Sequence, residues 1–178
     1  MKSNVFLFQG AKIFGETGNW NISITNGKIQ NISKSSEKHG GFITPRLADI
    51  HVHLDKTGTA QRMPRRATSL FDAINLMHED KKNWTEKDIY LRATQAVKNA
   101  FTRGTGYART HVDWENEDYP IAWEIIKDIK FEWVDRVKIQ MCSLTPIDVL
   151  ESAGEKIAEK IKSDKGVLGA FVYRNEKL

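Results

Sequence analysis

Two histidines one residue apart, His51 and His53, are the side chains in this sequence best suited to chemistry. Neutral imidazole nitrogens are good ligands for Zn2+ or Fe2+, and in an extended strand residues i and i+2 project to the same side. If residues 47–52 form a strand, the His51-Val52-His53 run supplies half a metal site at its end, although a His-x-His alone is as often structural as functional. Asp55, Arg109, His111 and Asp113 are the further candidates, as groups lining a substrate pocket. Each has a plainer reading: His111 orders the end of its strand, and Asp55, Arg109 and Asp113 form an ion pair that holds the strand ends together. Cys142 has no histidine beside it in sequence and reads as a small buried apolar residue. Trp84, Trp114, Trp123 and Trp133 are spaced as packing residues, and His39 and His78 read as loop and surface-helix residues.

These residues need elements to position them. Residues 1–45 read as a small antiparallel β-domain with strands at 5–8, 11–14, 20–25 and 28–32, and a polar loop over 33–41. The dipeptide Asn26-Gly27 supplies the positive φ angles of a two-residue hairpin. From residue 46 the pattern becomes α/β, with strands at 47–52, 106–112, 136–142 and 167–173. One helix is expected over 70–81. A second is capped by Thr85, carries Ile89, Ala93, Ala96, Val97 and Ala100 on one face, and stops at Gly104. Pro120 opens a third with Ile121, Ile125 and Ile129. Thr145-Pro146, a hydroxyl cap followed by proline, opens a fourth with Val149, Leu150, Ala153, Ile157 and Ile161. Strands about 30 residues apart make βαβ units and a parallel sheet, either open or part of a (β/α)8 barrel. A whole barrel takes roughly 250 residues.

Composition removes several function classes. The chain has 178 residues, 40% hydrophobic and 28% charged, which suits a folded domain with a core. Its net charge of +4 comes from bases interleaved with acids, as in Glu155-Lys156 and Glu159-Lys160, a solvated pattern and no nucleic-acid footprint. Arg62, Arg65 and Arg66 are the one concentrated group, and this basic loop over 57–68 suggests an anionic substrate. No apolar run reaches the roughly 18 residues a bilayer span needs, and no signal peptide opens the sequence, so a soluble cytoplasmic protein without a membrane partner is expected. One cysteine forms no intrachain disulfide, in keeping with a reducing compartment.

The run Ile43-Thr44-Pro45-Arg46-Leu47-Ala48-Asp49-Ile50-His51-Val52-His53-Leu54-Asp55-Lys56 resembles the metal-binding entry motif of the amidohydrolase superfamily, and Asn26-Gly27-Lys28-Ile29 resembles the hairpin that precedes it there. Ser69-Leu70-Phe71-Asp72-Ala73-Ile74 and Tyr107-Ala108-Arg109-Thr110-His111-Val112-Asp113 are similar to the cytosine deaminase and N-isopropylammelide amidohydrolase branch. The resemblance implies the N-terminal part of a TIM barrel, about four parallel strands with helices, after a small antiparallel β-domain. It also implies a divalent metal, Zn2+ or Fe2+, held by two histidines of the first strand, a later histidine and a late aspartate, with a glutamate as proton shuttle.

Only His51 and His53 match that ligand set; no histidine follows His111, so the metal is expected to be incompletely coordinated and the chain truncated. Cys142-Ser143-Leu144 stands where relatives carry Phe-Pro-Gln, which departs from recognition of cytosine itself. Three functions follow as expectations. The chain is a metal-dependent hydrolase of a C–N bond in a pyrimidine-like or triazine-like ring, or an inactive fragment that binds metal weakly. The third is a half-barrel completed by a homo-oligomer or by a complementing C-terminal half.

Overall fold

The computed structural model describes residues 4–38 and 40–172, in two compact units, one up to Arg46 and one from Leu47 onward. His39 and residues 173–178, including the expected end of the last strand, lie outside the described residues.

The first unit is a four-stranded sheet in the order β3-β2-β1-β4, with β1 Val5–Ile13, β2 Asn19–Thr25, β3 Lys28–Ser35 and β4 Phe42–Ile43. Asn26 and Gly27 turn the β2–β3 hairpin at φ 52° and 75°, the left-handed pair such a turn demands. Where the sequence suggests two strands, β1 is one. Its pairing with β2 shifts between Phe8 and Ala11 around Gly10 at φ 63°, whose N–H donates to Asn21 Oδ1 at 3.0 Å. The expected loop over 33–41 also begins late, because Ser33 and Ser35 still pair with Asn21 and Asn19. Polar side chains do not stop a ladder built from backbone groups.

The second unit is a curled, all-parallel sheet in the order β5-β6-β7-β8, matching part of a TIM barrel. Its strands are β5 Leu47–Val52, β6 Thr105–Asp113, β7 Lys138–Pro146 and β8 Ala170–Phe171, with helices α1 Leu70–Lys81, α2 Glu86–Thr102, α3 Ile121–Glu132 and α4 Ile147–Ser163. The Thr85 side chain accepts from the Asp88 N–H at 3.2 Å and starts α2, and Gly104 at φ 89° turns the chain into β6. Burial alternates along β6, so that Ala108, Thr110 and Val112 face the helices. Ala108 and Val112 join Ile89, Ala93 and Val97 of α2, Ile125, Ile126 and Ile129 of α3, and Ile139 and Met141 of β7 in one core. Trp114, Trp123 and Trp133 are buried in it, with Trp84 packed at its margin. The Trp123 indole donates to Asp164 Oδ2 at 2.9 Å, fixing α3 to the end of α4.

Two boundaries move for physical reasons. β7 starts later than expected because residues 136 and 137 still close the end of α3, their amides donating to Trp133 O at 2.8 Å. It runs on through Thr145, which is buried, receives no capping role and donates to Ser143 Oγ at 3.1 Å, while its amide donates to Gly169 O. Pro146 then occupies the position before α4 without a side-chain cap.

The basic loop contains an unexpected short 3-10 helix, Thr59–Arg62. Arg62 bonds to Asp80 at 2.7 Å and to Asp88 at 2.6 Å, tying the end of α1 to the start of α2, and Arg65 grips Asp72 with two 2.6 Å bonds. Two of the three arginines of this loop are thus paired with carboxylates of α1 and α2. Among the described residues no helix is long and apolar enough to cross a membrane.

Replacing Gly169 with alanine should destabilise the fold by roughly 1–3 kcal/mol, because a Cβ there would lie 2.3 Å from Ser143 O; a melting temperature equal to the parent's would contradict this packing. Asp88 offers a pH test. Hydrogen bonds from Arg62, then from Arg92, hold its carboxyl near 2, below its ordinary 3.8. A carboxyl depressed in the folded state contributes stability above about pH 4 that is lost as pH falls toward 2. Asp88→Asn should therefore melt lower than the parent at pH 7, with the gap closing in thermal melts between pH 4 and pH 2.

Candidate active site

Helices cover one face of the parallel sheet, and the alternate residues of each strand project from the other. From β5 come Asp49 and His51, with His53 just beyond its end; from β6 come Arg109, His111 and Asp113. Their register places Arg109 beside Gln140, His111 beside Cys142 and Asp113 beside Leu144.

The two imidazoles of the His-x-His run converge, with His51 Nε2 and His53 Nε2 3.3 Å apart. The His51 main chain and the His53 ring are each held by a hydrogen bond. The His51 amide donates to Asp49 Oδ1 at 3.2 Å, and His53 Nδ1 lies 3.1 Å from the His111 carbonyl oxygen. A carbonyl only accepts, so Nδ1 carries the proton and the Nε2 lone pair is left toward His51. The strand end is fixed further by the Leu54 amide, which donates to the buried Thr110 Oγ1 at 3.1 Å. His111 stacks on His51 with ring centroids 4.1 Å apart, and its Nδ1 is buried without a hydrogen-bond partner. Burial, then Lys56, lowers the pKa of His53; burial, then His51, lowers that of His111. Both rings therefore favour the neutral state in which an imidazole nitrogen can donate a lone pair. Among the described residues, no group of three or more His, Cys, Asp or Glu side chains is arranged to hold a metal.

Above the histidines lies a charged cluster. Asp113 sits between Lys56 Nζ at 2.6 Å and Lys81 Nζ at 2.5 Å, and Lys81 also reaches Glu115 at 2.5 Å. Burial alone would raise the Asp113 carboxyl, but the two ammonium groups outweigh it and hold the carboxyl below its usual range. Asp55 is fully buried next to it. Burial, then the Asp113 charge, pushes its carboxyl up to about 6, and its Oδ1 has no partner. Arg92 supports this turn from α2 by donating to the Asp55 and Thr57 carbonyl oxygens at 2.7 Å.

The largest cavity near these residues, about 760 Å³, is bordered by His53, Lys56, His78, Asp113 and Glu115 and walled by apolar residues of α1, β7 and β8. Of the sequence candidates, His53 and Asp113 line it, whereas His51 and His111, stacked on one another, do not. Arg109 does not. It lies lower on the sheet, donates from Nε to Gln140 Oε1 at 2.6 Å, and borders a separate hollow with Asp49 and Tyr107. Asp55 borders a third hollow on the far side of Lys81. Cys142 is a buried free thiol, pushed up by burial. Sequence reasoning overlooked Lys56 and Lys81, although Lys56 directly follows the His-x-His-Leu-Asp run; His78 is the exposed helix residue the sequence suggests, and it also reaches Glu115 at the cavity edge.

No family model matches the chain. It is 25% identical over 143 residues to a pterin deaminase of Rhizobium rhizogenes, which covers 79% of this chain and 33% of that protein. It is 28% identical over 124 residues to the N-isopropylammelide isopropyl amidohydrolase of Pseudomonas sp. strain ADP, covering 64% of this chain and 30% of that one. The crystal structure of 5-methylcytosine deaminase from Klebsiella pneumoniae liganded with phosphonocytosine superposes with a TM-score of 0.66 at 17% identity, over 94% of this chain and 51% of that one. The chain thus spans about a third of the length of the curated relatives it matches. The two relatives and the shared fold fit an amidohydrolase-like branch over part of this chain.

Proposed function

We propose that this chain carries the metal-binding and ring-binding part of a hydrolytic deaminase that cleaves a C–N bond of a pyrimidine-like, pterin-like or triazine-like ring. The observation that carries the reading is the His51/His53 pair, whose Nε2 atoms converge at 3.3 Å beside a cavity large enough for such a ring. The donor set suits Zn2+ or Fe2+, because the His53 ring is oriented by the His111 carbonyl and the His51 ring by stacking on His111 before any ion arrives. When bound, such a metal acidifies water for attack on the carbon that bears the leaving nitrogen.

The other roles belong to the chain's own residues. His111 stacks behind His51 and restricts its ring. Lys56, held by Asp113, offers an N–H donor at the cavity wall, and the Asp113–Lys81–Glu115 chain keeps that donor in place. Asp55 stiffens the turn that follows His53. Arg109 braces the sheet through Gln140 and takes no part in substrate binding.

The donor count favours a second reading. Because no group of three or more metal-binding side chains is present among the described residues, the pair alone holds metal weakly, and full activity draws further ligands from another segment or a second chain.

Titration of the purified chain with Co2+, followed by visible absorption and calorimetry, should show one bound ion per chain. Affinity should fall by at least about tenfold in His51→Ala and in His53→Ala, since even the groups that orient metal ligands are worth that much. Uptake unchanged in both variants would remove the proposal. Ammonia release from aminopyrimidine, aminotriazine and pterin substrates then separates an active chain from one that only binds metal.

A further inference from the structure

We infer that the hollow on the far side of Lys81 is a second binding site, which takes the ammonium ion released by deamination. The inference rests on the proposed function for the source of that ion and adds a product site separate from the histidine pair. It is carried by a buried acceptor without a partner, a surplus of carboxyl groups, and a wall already fitted to an ammonium group.

The hollow, about 300 Å³, lies between the end of α1 and the residues that follow β6. Asp55 borders it and is fully buried. Its Oδ2 accepts the Asp113 amide at 3.4 Å, and its Oδ1 has no partner. A buried acceptor without a donor costs free energy that an occupant bearing N–H groups recovers. The other carboxyl groups of the lining are Asp113, Glu115 and Asp118. Lys81 bonds to the first two and Lys56 to Asp113, whereas Asp118 makes no ion pair among the described residues. Four carboxyl groups thus share two ammonium groups, and the surplus attracts a further cation.

The wall already holds one cation of this kind. Lys81 Nζ stands 2.5 Å from both Asp113 and Glu115 and 5.9 Å from the centroid of the Trp84 ring. A free ammonium ion presents the same N–H donors to carboxyl oxygens and the same charge to an aromatic face. A metal ion fits less well, because among the described residues no three such side chains are arranged to hold one. Asp113 and Glu115 also border the 760 Å³ cavity, so the two spaces share a partition of two carboxylates bridged by Lys81. Ammonia cut from a ring in the cavity and protonated by solvent meets these carboxylates first. It crosses to the hollow by replacing Lys81 Nζ as their partner.

Two-dimensional NMR of the isotope-labelled whole chain, without metal and at constant ionic strength, tests the inference with ammonium chloride, potassium chloride and tetramethylammonium chloride. Potassium is close to ammonium in size, and neither it nor tetramethylammonium carries an N–H donor. Ammonium should shift the Trp84 indole and Asn116 side-chain amide signals saturably. Both controls should bind at least about tenfold more weakly, the scale of one hydrogen bond to a charged group. Asp118→Asn and Asp55→Asn should each weaken ammonium binding several-fold; Asp118 is exposed, so its variant tests the hollow without risk to the fold. Absence of a saturable shift, potassium binding equal to that of ammonium, or an affinity unchanged in either folded variant would overturn the inference. Neither metal nor turnover enters the measurement, so its failure is separable from loss of Co2+ uptake at His51 and His53, which bears on the proposed function alone.

Discussion

A parallel strand covered by helices on one face must send every second side chain out of the other, and this alternation governs everything the second unit presents. Ala108, Thr110 and Val112 are drawn inward with Ile139 and Met141 by the apolar faces of α2 and α3. Arg109, His111 and Asp113 are thereby committed to the opposite face. A slip of one residue would bury an arginine, a histidine and an aspartate among isoleucines, so the core enforces the register that displays the polar residues. The His51/His53 convergence inherits this constraint through two bonds to β6, Leu54 N–H to Thr110 Oγ1 and His53 Nδ1–H to the His111 carbonyl.

The same face shows how charge is managed where burial is partial. Asp113 keeps its charge because two ammonium groups compensate the solvation it loses, whereas Asp55, three residues past the second strand residue of the His-x-His run, is buried beside another carboxylate and resists ionisation. Two neighbouring aspartates thus take opposite protonation tendencies: burial dominates at Asp55, whereas at Asp113 direct bonds from Lys56 and Lys81 outweigh it. The ion pairs at the rim also explain why a basic stretch of sequence does not make a basic surface. Arg62 and Arg65 act as ties between helix ends and the loop, and their charge is neutralised locally.

Much of both units was legible because the signals are local. Asn26-Gly27, the Thr85 cap, Gly104 and the apolar spacing of α2 and α3 each fix a backbone conformation from a few adjacent residues. What failed was set by distant partners. Thr145 looks like a helix cap in sequence, yet Gly169 and Ser143 recruit it into the sheet, and residues 11–13 join residues 5–8 in one strand because β2 pairs with both. Arg109 and Asp113 share a face of β6 and read as equivalent; four residues of rise put one at the rim and the other at a lower level.

Sequence alone determined the alternation of elements, the βαβ spacing and the pairing of two imidazoles on one side of a strand, since these follow from bond geometry and from neighbours within one or two turns. Tertiary structure decided which charges cancel, which hollow each polar residue borders, and that α1 lends an apolar wall to the histidine end of the sheet. Those outcomes depend on groups up to 58 residues apart, as in the contact of His53 with the His111 carbonyl, and a linear pattern carries no record of such distances until the chain has folded.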